Sequence, residues 1–243
     1  MPGREDILQP SQTINLPRVK ELVIAGWTGR DVAALEKHIR ELEAIGVKRP
    51  KTTPIFYRVA ASLLTNDDTI EALGDQSSGE AECVVYSLDD GLFVGVGSDH
   101  TDRKAETVGV SLSKQMCAKP VSREVWRLED VAVHWDKLIL RSYVGADGRR
   151  RLYQEGSVAA MRPPTELFKL YCGGLLPAGT AMFCGTLRFM TASRRRRHSR
   201  WSWKIRCCAA RSRTAIASRR CAIKDRRRQW VSTKATRNFT RSI

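Results

Sequence analysis

No stretch of this chain approaches the roughly 20 apolar residues that a membrane-spanning helix needs, so no membrane partner is expected. The beginning, Met1 to Pro17, is polar and has no apolar core segment, so no secretory signal is expected. Cysteine is scarce and unpatterned. There are seven, and the body cysteines Cys83, Cys117, Cys172 and Cys184 form no Cys-x-x-Cys pair. That pattern indicates neither a zinc site nor a disulfide framework, and small buried thiols in a reducing cytoplasm are the expectation.

Balanced charge is also missing, but only locally. The net charge is +16 over 243 residues. From Thr191 to Ile243 there are 18 Lys and Arg against a single acid, Asp225, so this end alone carries +17 and residues 1–190 carry −1. The same end contains no Gly, Pro, Leu, Glu or Tyr. Basic arms that stay in solvent are rich in Lys, Gly, Ser and Pro. This one instead sets Trp201, Trp203, Cys207, Cys208 and Cys221 among arginines, with no apolar period of 2 or 3.6. An irregular or poorly ordered tail is expected, and nucleic acid is not the partner it predicts.

The genetic code supplies a cause for such a tail. If the reading frame slipped near Leu187, each original residue is spelled by the third base of one codon and the first two of the next. The junction of Trp203 and Lys204 then gives only Glu, and that of Cys207 and Cys208 only Leu. From His198 the junctions permit Leu-Glu-Met-Glu-Leu-Glu-Asp-Pro-Val-Leu, an alternating strand pattern closed by a turn-forming Asp-Pro. Residues 191–243 are therefore expected to be an out-of-frame tail on an ordered body of residues 1–190. The alternatives are a true nucleic-acid-binding arm and a truncated product without function.

The body is long enough for one domain with a core. Leu22-Val23-Ile24-Ala25 reads as a strand. Thr28 with Asp31 resembles a capping box, and Val32, Leu35, Ile39, Leu42 and Ile45 recur at helical spacing up to Gly46 and Pro50. His38 falls on the polar face of that helix and reads as solvated. From Pro54 onward the signals are mostly β. Ile55 to Tyr57 is strand-like, and Asp89-Asp90-Gly91 turns Val84–Leu88 into Leu92–Val96. Leu138–Leu140 and Tyr143-Val144 lead into a turn at Asp147-Gly148. Thr165–Leu170 reads as a short helix and Leu176–Phe183 as a last strand region. One early helix followed by many strands predicts an α+β fold with a dominant mixed sheet or roll, divided into a strand–helix unit at about 18–50 and a β-rich body at about 51–190.

Chemistry concentrates in two segments. Glu80 and Glu82 are two apart, so on a strand they share a face, and two carboxylates on one face repel unless a cation or proton lies between them. Asp99 follows in Gly97-Ser98-Asp99-His100-Thr101-Asp102-Arg103. Three convergent carboxylates without a cysteine suit a hard cation with oxygen ligands: Mg²⁺, Mn²⁺ or Ca²⁺. Glu-x-Glu is equally common on solvated strands, so spacing alone leaves both readings open. His100 is expected to serve structure rather than act as a base, and His134, beside Trp135, is expected to pack.

These segments resemble motifs of the fumarylacetoacetate hydrolase (fumarylacetoacetase) C-terminal-domain superfamily, closest to an uncharacterised bacterial branch. Glu80 and Glu82 match its Glu-x-Glu strand. Asp99, Thr101 and Arg103 match its Asp-x-Ser-x-Arg, with Thr for Ser. Lys114 or Lys119 stands nearest its Gly-Lys lysine, and Asp147-Gly148 to Gln154 resembles its Asn-Gly-x-x-x-Gln hairpin. Leu176-Pro177-Ala178-Gly179 and Cys184-Gly185-Thr186 resemble its closing Leu-x-Pro-Gly-Asp and Thr-Gly-Thr, with Cys184 in place of the first Thr. Pro54 to Tyr57 resembles an early Pro-x-x-Phe strand, so the likeness runs from about Pro54 to Thr186.

The resemblance implies a fumarylacetoacetase-type roll and a metal-dependent hydrolase or lyase acting on a small oxo acid, commonly as a homodimer. It implies that Glu80, Glu82 and Asp99 hold the metal and that Lys114 or Lys119 stabilises negative charge on the substrate. Arg103 joins the site, and Thr186 offers its hydroxyl and N–H to a substrate carboxylate. Two departures stand out. The hairpin between Glu82 and Asp99 is trimmed, and no lid segment is evident with the His–Glu pair that hydrolytic members use to activate water.

Overall fold

The computed structural model describes residues 9–44, 49–146 and 149–187, together with four short strand segments further on. In chain order the elements are β1 (Gln12–Thr13), β2 (Glu21–Gly26), α1 (Val32–Glu43), β3 (Ile55–Val59), β4 (Leu64–Thr65), β5 (Ser77–Ser78), β6 (Ala81–Leu88) and β7 (Gly91–Ser98). They continue with β8 (Thr101–Asp102), α2 (Arg103–Glu106), α3 (Val110–Gln115), β9 (Lys119–Pro120), β10 (Glu124–Arg127) and α4 (Leu128–Ala132). Then come β11 (Leu138–Ala146), β12 (Arg149–Ser157), α5 (Pro164–Cys172) and β13 (Thr180–Thr186). Ser202–Trp203, Arg206–Ala209, Ala215–Ala217 and Cys221–Ala222 are β14 to β17. The chain is an α+β protein with a large mixed sheet. No described helix is long and apolar enough to cross a membrane.

Seven strands form the central sheet in the order β1-β10-β7-β6-β13-β2-β3. All neighbours are antiparallel except β13 and β2, where Thr180 to Phe183 run parallel to Glu21 to Ile24. A second sheet holds β12-β11-β15-β16. The turn residues Asp147 and Gly148 lie outside the described residues, but the flanking strands pair antiparallel, from Ile139 opposite Ser157 to Ala146 opposite Arg149.

Alternation along the central strands explains two cores. Successive side chains on a strand point to opposite faces. Val23, Ala81, Cys83, Val85, Val94, Val96 and Met182 bury one face against Trp126, Leu138, Leu167 and Phe168. Leu22, Ile24, Val84, Tyr86, Phe93, Ala181 and Phe183 bury the other against Val59, Leu64, Val121 and Val125. All eight residues of β6 are buried, as a strand covered on both faces requires.

Asp31, rather than a Thr28 capping box, starts α1: its side chain accepts the Ala34 N–H at 2.9 Å. Thr28 is 4 % exposed and is held elsewhere. Its carbonyl accepts the Arg162 N–H at 2.8 Å, and Arg30 N–H donates to Ala160 at 2.9 Å. The loop after β2 is thus clamped to the segment before α5, and this clamp presses Thr28 onto β13.

Candidate metal centre

Glu82 lies near the start of β6, opposite Gly97 on β7 and Thr186 on β13. Glu80 precedes β6, and its carbonyl accepts the Asp99 N–H at 2.9 Å, which folds the segment after β7 back over the strand start. One carboxylate oxygen from each of Glu80, Glu82 and Asp99 lies within 4.8 Å of the other two. Glu82 is 2 % exposed and Asp99 fully buried. Burial, and then the negative charge of Asp99, push the Glu82 carboxyl well above the usual carboxylate range. The Gly185 N–H donates to it at 2.7 Å.

That donor depends on glycine. Gly185 has φ +98°, in a region where side chains strain, and a Cβ there would sit 1.8 Å from Thr28 Oγ1. It falls where the β13 register shifts between Phe183 and Thr186, so the irregularity turns its N–H toward Glu82.

Three cations surround the carboxylates. Arg103 donates from Nη2 to Glu80 at 2.6 Å, from Nε to Ser78 at 2.6 Å and from Nη1 to Glu106 at 3.0 Å. Lys114 on α3 pairs with Asp99 Oδ2, and its ammonium lies 5.7 Å from the Tyr57 ring centroid. Burial opposes the charge on Lys114, but Asp99 outweighs it and holds the ammonium above its ordinary range. Lys119 is 0 % exposed. Its Nζ lies 3.2 Å from Asp99 Oδ1 and donates to the carbonyls of His100 at 2.5 Å and Lys114 at 2.6 Å. Burial lowers its pKa, which Asp99 partly offsets. His100 is buried, and burial with the Lys119 charge brings its imidazole down to about 3, so it is neutral near pH 7.

Thr186 is engaged within the scaffold. Its hydroxyl donates to the Ala81 carbonyl at 2.9 Å and accepts from Gln154 Nε2 at 2.8 Å. Both bonds hold the Thr186 side chain against β6 and Gln154. Gln154 is fully buried and fully used: Nε2 also reaches Leu187 O at 2.7 Å, while Oε1 accepts from Ala81 N–H at 3.0 Å and Ser142 at 2.8 Å. This amide ties the start of β6 to the end of β13.

A His–Glu pair also emerges that the sequence reading passed over. His38 and Glu41 on α1 lie 3.7 Å apart, and the His38 ring packs against Trp27 at a centroid distance of 6.0 Å. Spacing of three on one helix was the available signal. His38 is about a third exposed, in keeping with the polar face, and Trp27, outside the helix, supplies the ring contact.

The model of the protein family of unknown function DUF2848 matches residues 25–217. The chain belongs to the DUF2848 family. No curated protein matches it by sequence. Solved structures place its fold among fumarylacetoacetate hydrolase proteins. A protein described as HpcE from Mycobacterium smegmatis superposes with a TM-score of 0.64 at 16 % identity, over 86 % of this chain and 75 % of its own. A 2-keto-3-deoxy-D-arabinonate dehydratase, in complex with magnesium and 2,5-dioxopentanoate, gives 0.59 at 14 % identity, over 87 % and 75 %. A fumarylacetoacetate hydrolase family protein of yeast gives 0.57 at 14 %, over 88 % and 97 %. At these identities the likeness is one of fold, and what the DUF2848 chain does with it rests on its own side chains.

Proposed function

We propose that this DUF2848 chain is a divalent-metal-dependent enzyme acting on a small 2-oxo or dicarbonyl acid, by C–C bond hydrolysis, decarboxylation or hydration. The convergence of Glu80, Glu82 and Asp99 carries the reading. Buried carboxylates that crowd one another, with no thiol or imidazole in the donor set, fit a hard cation such as Mg²⁺ or Mn²⁺. The magnesium and 2,5-dioxopentanoate held by the dehydratase of the same fold support both halves of the proposal.

The metal, when bound, supplies Lewis acidity toward a chelating oxo acid. The chain's own groups do the rest. Lys114, at the carboxylates and over Tyr57, offers its ammonium to developing negative charge on the substrate. Arg103 fixes Glu80 against Ser78, and the Gly185 N–H fixes Glu82. A homodimer is the assembly we propose, which light scattering on the purified chain would test.

Isothermal titration with Mg²⁺ and Mn²⁺ tests the centre. Binding to the wild-type chain should vanish in Glu82→Ala, and equal binding in the variant rules this site out.

The codon junctions support a second reading, in which residues 191–243 come from a shifted frame and the chain is a truncated product. The family match reaches residue 217, so the readings divide within this end. Resequencing the codons for Gly185 to Met190 in independent isolates decides between them, an intact frame removing the shift. A functional basic arm is the further alternative. It predicts duplex DNA binding that falls steeply with salt and disappears when residues 191–243 are removed.

A further inference from the structure

We infer that Lys119 is a positioning residue, an internal ammonium that sets both the Asp99 carboxylate and the backbone that carries Lys114, and that it does not meet substrate. The inference rests on the metal reading above and separates two lysines that the sequence leaves equivalent.

An ammonium has three N–H bonds and no lone pair, so it is satisfied by three acceptors. Lys119 donates to two carbonyls, His100 O at 2.5 Å and Lys114 O at 2.6 Å, and its third contact is an ion pair with Asp99 Oδ1 at 3.2 Å. With its side chain fully buried, no direction remains from which a substrate atom could approach. Lysine is almost never buried this completely unless it is paired. Removing one partner of such a group is costly, whereas an apolar packing of equal volume would serve stability as well or better. What an apolar residue cannot do is join these three acceptors. Asp99 and His100 follow β7, Lys114 lies on α3, and Lys119 begins β9. One Nζ ties all three segments together.

The consequence falls on Asp99. Lys119 holds Oδ1 and Lys114 meets Oδ2, so the carboxylate plane is fixed from both sides. Lys114, 8 % exposed in its side chain and against Tyr57, is the one of the two that can shift its hold when a cation or anion arrives. Lys119 keeps the carboxylate in place while that happens.

The two roles predict opposite signs in one measurement. On charge alone, removing either lysine takes a positive group away from a divalent cation and should tighten its binding. If Lys119 positions Asp99, Lys119→Met must instead weaken binding despite the lost repulsion. Mn²⁺ is titrated into the full 243-residue chain and its variants, read by calorimetry and by the electron paramagnetic resonance spectrum of the bound ion. Lys114→Met should bind Mn²⁺ as tightly as wild type or tighter. Lys119→Met should bind at least about tenfold more weakly, with a broadened spectrum. Lys119→Gln, which keeps two donors, should fall between. Equal or tighter binding by Lys119→Met overturns the inference.

A measurement on the unmutated chain guards against variants that fail to fold. The ¹H–¹⁵N signal of the Lys119 ammonium should exchange slowly with water and persist at saturating Mg²⁺, while that of Lys114 shifts. Fast exchange at Lys119, with or without metal, overturns the inference. Should the wild-type chain bind no Mn²⁺, the metal reading falls, and slow exchange at Lys119 still supports the clamp.

Discussion

Strands β6, β7 and β13 lie side by side, and their two ends are built on different principles. At one end Tyr86 faces Phe93 and Ala181, all buried and apolar in their contacts. At the other, Glu82 faces Gly97 and Thr186, with Asp99, Lys114 and Lys119 buried beside it. Buried ion pairs stabilise a fold less reliably than apolar packing of the same volume. On the proposed reading, the same three strands serve stability at one end and a cation site at the other.

The apolar end should carry the larger stability effects. Phe93→Ala removes a ring that is 1 % exposed and should cost about 3–5 kcal/mol in chemical denaturation, with Mn²⁺ affinity of the folded protein unchanged. A large affinity loss in that variant would break the division. Gly185→Ala is the exception that should damage both properties. It puts a Cβ against Thr28 at φ +98° and displaces the N–H from Glu82. A cost of about 2–4 kcal/mol is expected, together with weaker metal binding.

Glu82→Gln should do the reverse of Phe93→Ala. Metal affinity should drop by at least about a hundredfold, while the metal-free melt moves by less than about 1 kcal/mol. Glutamine keeps the size of the side chain and an oxygen that can accept the Gly185 N–H.

A pH dependence is also expected at the charged end. His100 is held neutral down to about 3 from an ordinary value of 6.5. The unfolded chain takes up a proton as pH falls below 6.5, and the folded chain does not until about 3. Its contribution to stability is therefore present above 6.5 and is lost progressively as pH falls toward 3. Urea denaturation across that range should show a shallower slope in His100→Gln.

Local signals carried much of the fold into view. The Asp89-Asp90-Gly91 turn placed the β6–β7 hairpin, and Val32 to Leu42 placed α1, because both depend on residues close in sequence. Glu80, Glu82 and Asp99 were legible because strand alternation and one hairpin suffice to bring them together. The choice between Lys114 and Lys119 was not, since it turns on α3, β9 and the segment after β7 meeting at one ammonium. The scaffold role of the Thr186 hydroxyl was hidden for the same reason: its partners are Ala81 and Gln154, on other strands. The packing of His38 against Trp27 was not legible either, because periodicity reports only a helix's own faces.

The parallel pairing of β2 with β13 has a consequence for how the molecule is made. Glu21 meets Thr180 across about 160 residues of intervening chain. A ribosome adding about 5–20 residues per second takes roughly 8–30 s to cover that distance. During that interval β2 has β3 along one side and nothing along the other, and Leu22 to Ala25, all apolar, offer an open strand edge to any neighbour. The middle of the sheet is the last part of it to be completed, and the nascent chain is most in need of a chaperone just before β13 emerges.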